Sequence, residues 1–116
     1  MQIRVEVETF DKMLSFDLFE SKEIKYDMEK QVAPNVVIRS KGLDFKEAVG
    51  FTDIINLALE IGKDVAVGAA AGLLANWLYD KTRGRAEKLR IEGIDVRIDK
   101  GEIKRILIEK IEKSKS

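Results

Sequence analysis

The segment Asp64-Val65-Ala66-Val67-Gly68-Ala69-Ala70-Ala71-Gly72-Leu73-Leu74-Ala75-Asn76-Trp77-Leu78-Tyr79-Asp80 holds no charged side chain between its two terminal aspartates. Small residues crowd its first half, and the only tryptophan of the chain stands near its end. Such a run has no polar face to give to water, so the rest of the chain, or a copy of it, must cover it. The uncharged part, Val65 to Tyr79, is fifteen residues long, whereas a bilayer asks for about 20. Extending it backwards meets Asp64, Lys63 and Glu60, which are costly at membrane depth. The segment therefore predicts a covered helix over 65–82, with Asp64 as its N-cap and Gly84 just past its end. No membrane contact is expected.

Upstream, Phe45, Ala48, Val49, Ile55, Ala58 and Leu59 fall close to helical spacing, with Asp44 placed to cap and Gly62 placed to stop. This predicts a first apolar helix over 45–61, broken from the second around Gly62–Asp64. At the start of the chain Ile3, Val5 and Val7 alternate with Arg4, Glu6 and Glu8, the period of a half-buried strand over 2–9. Residues 11–20 fit a short helix capped by Asp11, although Leu14, Phe16 and Leu18 also alternate. Ile24, Tyr26 and Met28 suggest a strand over 22–29, Pro34 marks a turn, and Val36-Val37-Ile38-Arg39 suggests another strand. Leu89, Ile91, Val96 and Ile98 around Glu92-Gly93 read as a hairpin over 88–98. Ile103, Ile106, Leu107 and Ile111 then stripe a C-terminal amphipathic helix. The expected architecture is a single α+β domain over 1–116: a mostly antiparallel sheet covered on one face by two consecutive apolar helices and the C-terminal helix.

Composition narrows the chemistry. With 116 residues, 45% hydrophobic and 36% charged, the chain can bury a modest core. Its 21 basic and 21 acidic residues cancel, so no overall field draws it to a polyanion. They are unevenly placed: residues 1–80 carry 9 Lys/Arg against 14 Asp/Glu, and residues 81–116 carry 12 against 7. The absence of cysteine and histidine excludes disulfides, thiol catalysis, Cys/His zinc sites and Ser-His-Asp triads. Five Asn plus Gln beside many Lys, Glu and Ile give a thermophile-like composition. The first ten residues lack a continuous apolar run, so no secretory leader and a cytoplasmic location are expected.

Candidate sites follow from these elements. Gly68 and Gly72 form a small-xxx-small pattern, and glycine inside a helix costs about 1 kcal/mol relative to alanine. Something is therefore expected to press on that face: the preceding helix or a second subunit. Gly68, Gly72, Ala75, Trp77 and Tyr79 are the candidate oligomer or partner interface. Arg83, Arg85, Lys88 and Arg90 form the only basic cluster and are the candidate phosphate contact, the alternative being an ordinary solvated helix end. Asp53, Asn56 and Glu60 would share one helix face as a polar stripe able to hold a small divalent ion, or simply to face solvent; Asp95 and Asp99 are expected in solvent. No catalytic residue, resident metal or cofactor is expected.

From Val36 onward (36–110) the layout resembles the effector-associated constant component modules of bacterial conflict and signalling systems. The resembling features are an apolar helix leading into the Gly/Ala-rich one ending Leu73-Leu74-Ala75-Asn76-Trp77-Leu78, a basic linker, the hairpin Leu89 to Ile98 and a final helix. The resemblance implies a non-enzymatic coupling or scaffolding part and carries over no functional residue. The expectation is thus an interaction module, self-associating through helix 65–82 or binding another protein, with nucleic-acid or nucleotide binding through 83–90 as the alternative.

Overall fold

A computed structural model describes residues 1–44 and 51–115 of the chain. Its elements run β1 (Gln2–Thr9), α1 (Leu14–Phe19), β2 (Glu29–Ala33), β3 (Val36–Asp44), β4 (Asp53–Ile61), α2 (Val67–Thr82), β5 (Ala86–Ile91), β6 (Ile94–Val96) and α3 (Lys100–Lys115). The six strands form one antiparallel sheet in the order β2-β3-β4-β1-β5-β6. The α+β class and the antiparallel sheet agree with the sequence reading.

The alternation in β1 sends Ile3, Val5, Val7 and Thr9 to the covered face. Ile38 of β3, Leu59 of β4 and Leu89 of β5 join the same core. Helix α2 lays Ala70, Ala71, Leu74, Ala75 and Leu78 onto it, and α3 adds Ile103, Ile106, Leu107 and Ile111. The two long helices pack against each other across that face. Among the described residues, the opposite face, carrying Arg4, Glu6, Arg39, Asn56, Glu60 and Arg90, has no helix on it. One-sided burial is what period-two patterning with polar alternates dictates.

The expected helix over 45–61 is not formed: residues 53–61 are strand β4, and the expected start of that helix falls on residues 45–50, outside the described residues. The apolar residues here satisfy two periods at once. Ile55, Leu57, Leu59 and Ile61 alternate with Ile54, Asn56, Ala58 and Glu60, and full pairing with β1 on one side and β3 on the other selects the period of two. Gly62 consequently follows a strand rather than a helix, and Asp44 is the last residue of β3. The strand expected over 22–29 is also displaced. Asp27 adopts a left-handed conformation (φ 65°) that bends residues 26–27 into a turn, and the strand begins at Glu29. Asp64 does not cap α2, whose N-cap is Ala66 without a side-chain bond.

The hairpin turn and the short helix behave as read, while Asp99 takes a capping role that the sequence reading did not assign. Glu92 and Gly93 both take positive φ (50° and 78°), the geometry of a two-residue hairpin turn of the primed kind. Residues Leu14–Phe19 are helical. Asp99 caps α3, its Oδ2 accepting from the Glu102 N–H at 3.0 Å. No helix among the described residues is long and apolar enough to cross a membrane.

Candidate functional site

A helix turns 100° per residue, and the structure resolves α2 into three faces. Ala70, Leu74 and Leu78 point into the core, and Ala75 points with them. Ala69, Leu73, Asn76 and Asp80 point outward into solvent. Gly68, Gly72 and Tyr79 lie on the shoulder beside α3. Of the five interface candidates, then, Ala75 is committed to the core. Trp77 and Tyr79 are half-buried, and the Tyr79 ring lies under two cations, Lys100 Nζ at 5.3 Å and the Arg83 guanidinium at 5.6 Å. Gly68 is exposed and Gly72 half-buried.

Among the described residues nothing packs closely over the two glycines. A methyl group placed on Gly68 would meet no heavy atom within 4 Å, and one on Gly72 would meet only Lys104 Cε at 4.0 Å. The preceding segment expected to press on this face is β4, on the far side of the core. On the neighbouring outward face Leu73 is 48% exposed, an apolar side chain in line with Ala69 and Asn76.

The basic cluster is dispersed by the fold. Arg85 grips two carboxylates, Nε to Asp11 Oδ2 at 2.7 Å and Nη2 to Asp17 Oδ2 at 2.6 Å. The hydrogen bond from Arg85 is the main reason the Asp11 carboxyl sits below its usual range, and the Asp11 bond likewise raises Arg85. Arg90 stands on the uncovered sheet face among Glu6, Glu8 and Asp95 (3.3, 3.7 and 3.1 Å). Arg83 stacks on Tyr79, and Lys88 is exposed. Two of the four guanidinium and ammonium groups are thus neutralised by carboxylates, so the segment offers no common phosphate cradle.

The polar stripe is separated in the same way. Once 53–61 is a strand, Asp53 falls on the covered face, where Lys12 pairs with it at 2.8 Å, while Asn56 and Glu60 fall on the uncovered one. Glu60 there accepts from Arg39 Nε at 2.5 Å, a bond that raises Arg39 above its ordinary value. Asp95 pairs with Arg90 and Asp99 caps α3. No group of three or more acidic side chains able to hold a metal ion occurs among the described residues.

One surface escaped the sequence reading. Phe10, Met13 and Phe51 all expose more than half of their area on adjoining loops. Thr9 pairs with Asp53 across β1 and β4, and Lys12 Nζ donates to the Phe51 carbonyl at 3.3 Å, which draws the loops together. Residue type alone gave no signal, because exposure in a loop depends on what the fold leaves above it. The chain matches no protein-family model, no curated protein and no solved structure.

Proposed function

We propose that this chain is a non-catalytic contact module that self-associates through the outer flank of α2. The observation carrying this reading is the unfilled space over Gly68 and Gly72 beside the half-exposed Leu73. Gly72, inside the helix, costs about 1 kcal/mol relative to alanine, Gly68 in the first turn costs less, and no close packing by the described residues accounts for Gly68. A second backbone approaching that flank would account for both. The loop patch of Phe10, Met13 and Phe51 supports the same class of function, since it supplies apolar area for another protein. A scaffolding part of the kind implied by the resemblance to effector-associated modules fits this reading, although the segment before α2 is a strand here.

Two substitutions at one position separate assembly from folding. Gly68→Ala meets no neighbour within 4 Å, so it should raise the stability of the isolated fold, by less than the roughly 1 kcal/mol of a helix-interior site because it stands in the first turn. Gly68→Leu should leave the melting temperature near that of the parent while lowering the mass seen in light scattering from a dimer or larger to a monomer. A parent protein that scatters as a monomer at every accessible concentration defeats the proposal.

A further inference from the structure

The sheet face without helices holds a cleft of about 410 Å³. Its floor is β4, where Asn56 and Ala58 point outward. One wall is β1, with Arg4 and Glu6; the other is formed by Tyr26 and Lys41. The cleft exists because Ala58 is small. It pairs with Arg4 on one side and Arg39 on the other, so two arginine backbones stand roughly 10 Å apart with only a methyl group between them. Ala58 is 1% exposed although it faces away from the core, which shows how fully the long neighbours wall it in.

The charges around the cleft are matched, with one exception. Lys41 Nζ lies 2.6 Å from Asp27 Oδ1 and 5.4 Å from the centre of the Tyr26 ring. Arg39 is held by Glu60 and Glu29, and Glu6 is drawn to Arg90 at 3.3 Å. Arg4 is held only through its backbone: its N–H donates to Glu92 Oε1 and its carbonyl accepts from the Glu92 N–H, both at 2.9 Å. Among the described residues its guanidinium makes no ion pair, and its side chain borders the cleft. Tyr26 is 69% exposed, an aromatic ring standing at the rim opposite.

We infer that this cleft binds a small monocarboxylate with an apolar or planar tail. The planar fork of an arginine matches a carboxylate in shape as well as in charge. A single unmatched cation answers a single negative charge. The nearby carboxylates Glu6, Asp27 and Glu60 already hold their own cations, so the cleft offers, among the described residues, one free cation for one negative charge, which suits a monocarboxylate better than a phosphate dianion. The tail would lie against the exposed Tyr26 ring, and the Asn56 amide, whose hydrogen bond to Asp44 is a long 3.3 Å, borders the cleft as a further donor. The cleft lies on the opposite side of the sheet from α2, so the inference is independent of self-association.

The test uses the ¹⁵N-labelled chain titrated with benzoate, and in parallel with neutral benzamide and inorganic phosphate, following backbone amide shifts. Benzoate should give saturable shifts centred on Arg4, Asn56 and Ala58, with benzamide and phosphate far weaker. Arg4→Gln should weaken benzoate by at least about tenfold, Arg4→Lys by less, and Tyr26→Ala should weaken it with Arg4 intact. Both side chains are exposed, so unchanged melting temperatures should accompany these losses. Scattered or non-saturating shifts, benzoate affinity indifferent to Arg4→Gln, or phosphate binding as tightly as benzoate would each overturn the inference.

Discussion

Gly62 shows how one residue can fasten distant parts of this chain. It follows β4, and a methyl group on it would come within 2.9 Å of Asn35 Cβ and 3.4 Å of the Asn35 carbonyl. Its N–H meanwhile donates to that carbonyl at 2.8 Å. Asn35 is itself fixed at φ 61° in the β2–β3 turn, so neither side can yield cheaply. Gly62→Ala is expected to destabilise the fold by about 1–3 kcal/mol, as overpacking does, and chemical denaturation checks it. The same substitution at Gly68 is expected to have the opposite sign. Two glycines that look alike in sequence thus differ by what the fold places beside them.

At the scale of elements, helix ends are governed by local chemistry more cleanly than strand identity is. The Asp99 side chain satisfies one of the first free N–H groups of α3, that of Glu102, and Asp99→Ala should cost about 1 kcal/mol in thermal or denaturant unfolding. Ala66 performs no such service for α2, so that helix rests on the burial of Ala70, Leu74 and Leu78. Strands β1, β5 and β6 and helices α2 and α3 were legible because their apolar residues fit one period only. β4 was not, because Ile54, Ile55, Leu57, Ala58, Leu59 and Ile61 satisfy helix and strand alike; the choice between them is made by hydrogen bonds to β1 and β3, whose paired residues lie 44 to 58 and 10 to 25 positions away in sequence. The displacement of β2 has a local cause, the left-handed turn at Asp27, which alternation of Ile24, Tyr26 and Met28 concealed.

Across the whole molecule, α1 is tied down by charge at both ends. Arg85 from the α2–β5 loop holds Asp11 and Asp17, and Lys30 from β2 reaches Glu20 at 2.6 Å. The Asp11 carboxyl is lowered chiefly by the Arg85 hydrogen bond, and the Glu20 carboxyl chiefly by that from Lys30. A carboxyl lowered in the folded state contributes stability that is complete above its unfolded value of about 4. That contribution is lost as the pH falls through the folded value. Melting temperature should therefore drop on acidification below about pH 4, and Arg85→Gln should flatten that decline while lowering the plateau above it. A variant whose decline matches the parent's would remove Arg85 from the account. The amino-acid order by itself determined the α+β class, the one-sided sheet, the hairpin at Glu92-Gly93 and the two long helices, since each rests on periodicity or turn chemistry within a few residues. Tertiary structure alone decided that 53–61 is a strand, that Arg85 and Arg90 are neutralised, that the flank of α2 is left open and that Arg4, Ala58 and Tyr26 share a cleft. Those outcomes depend on which distant segments pair, and pairing is set by the joint burial of all the strands, a quantity no local window of sequence contains.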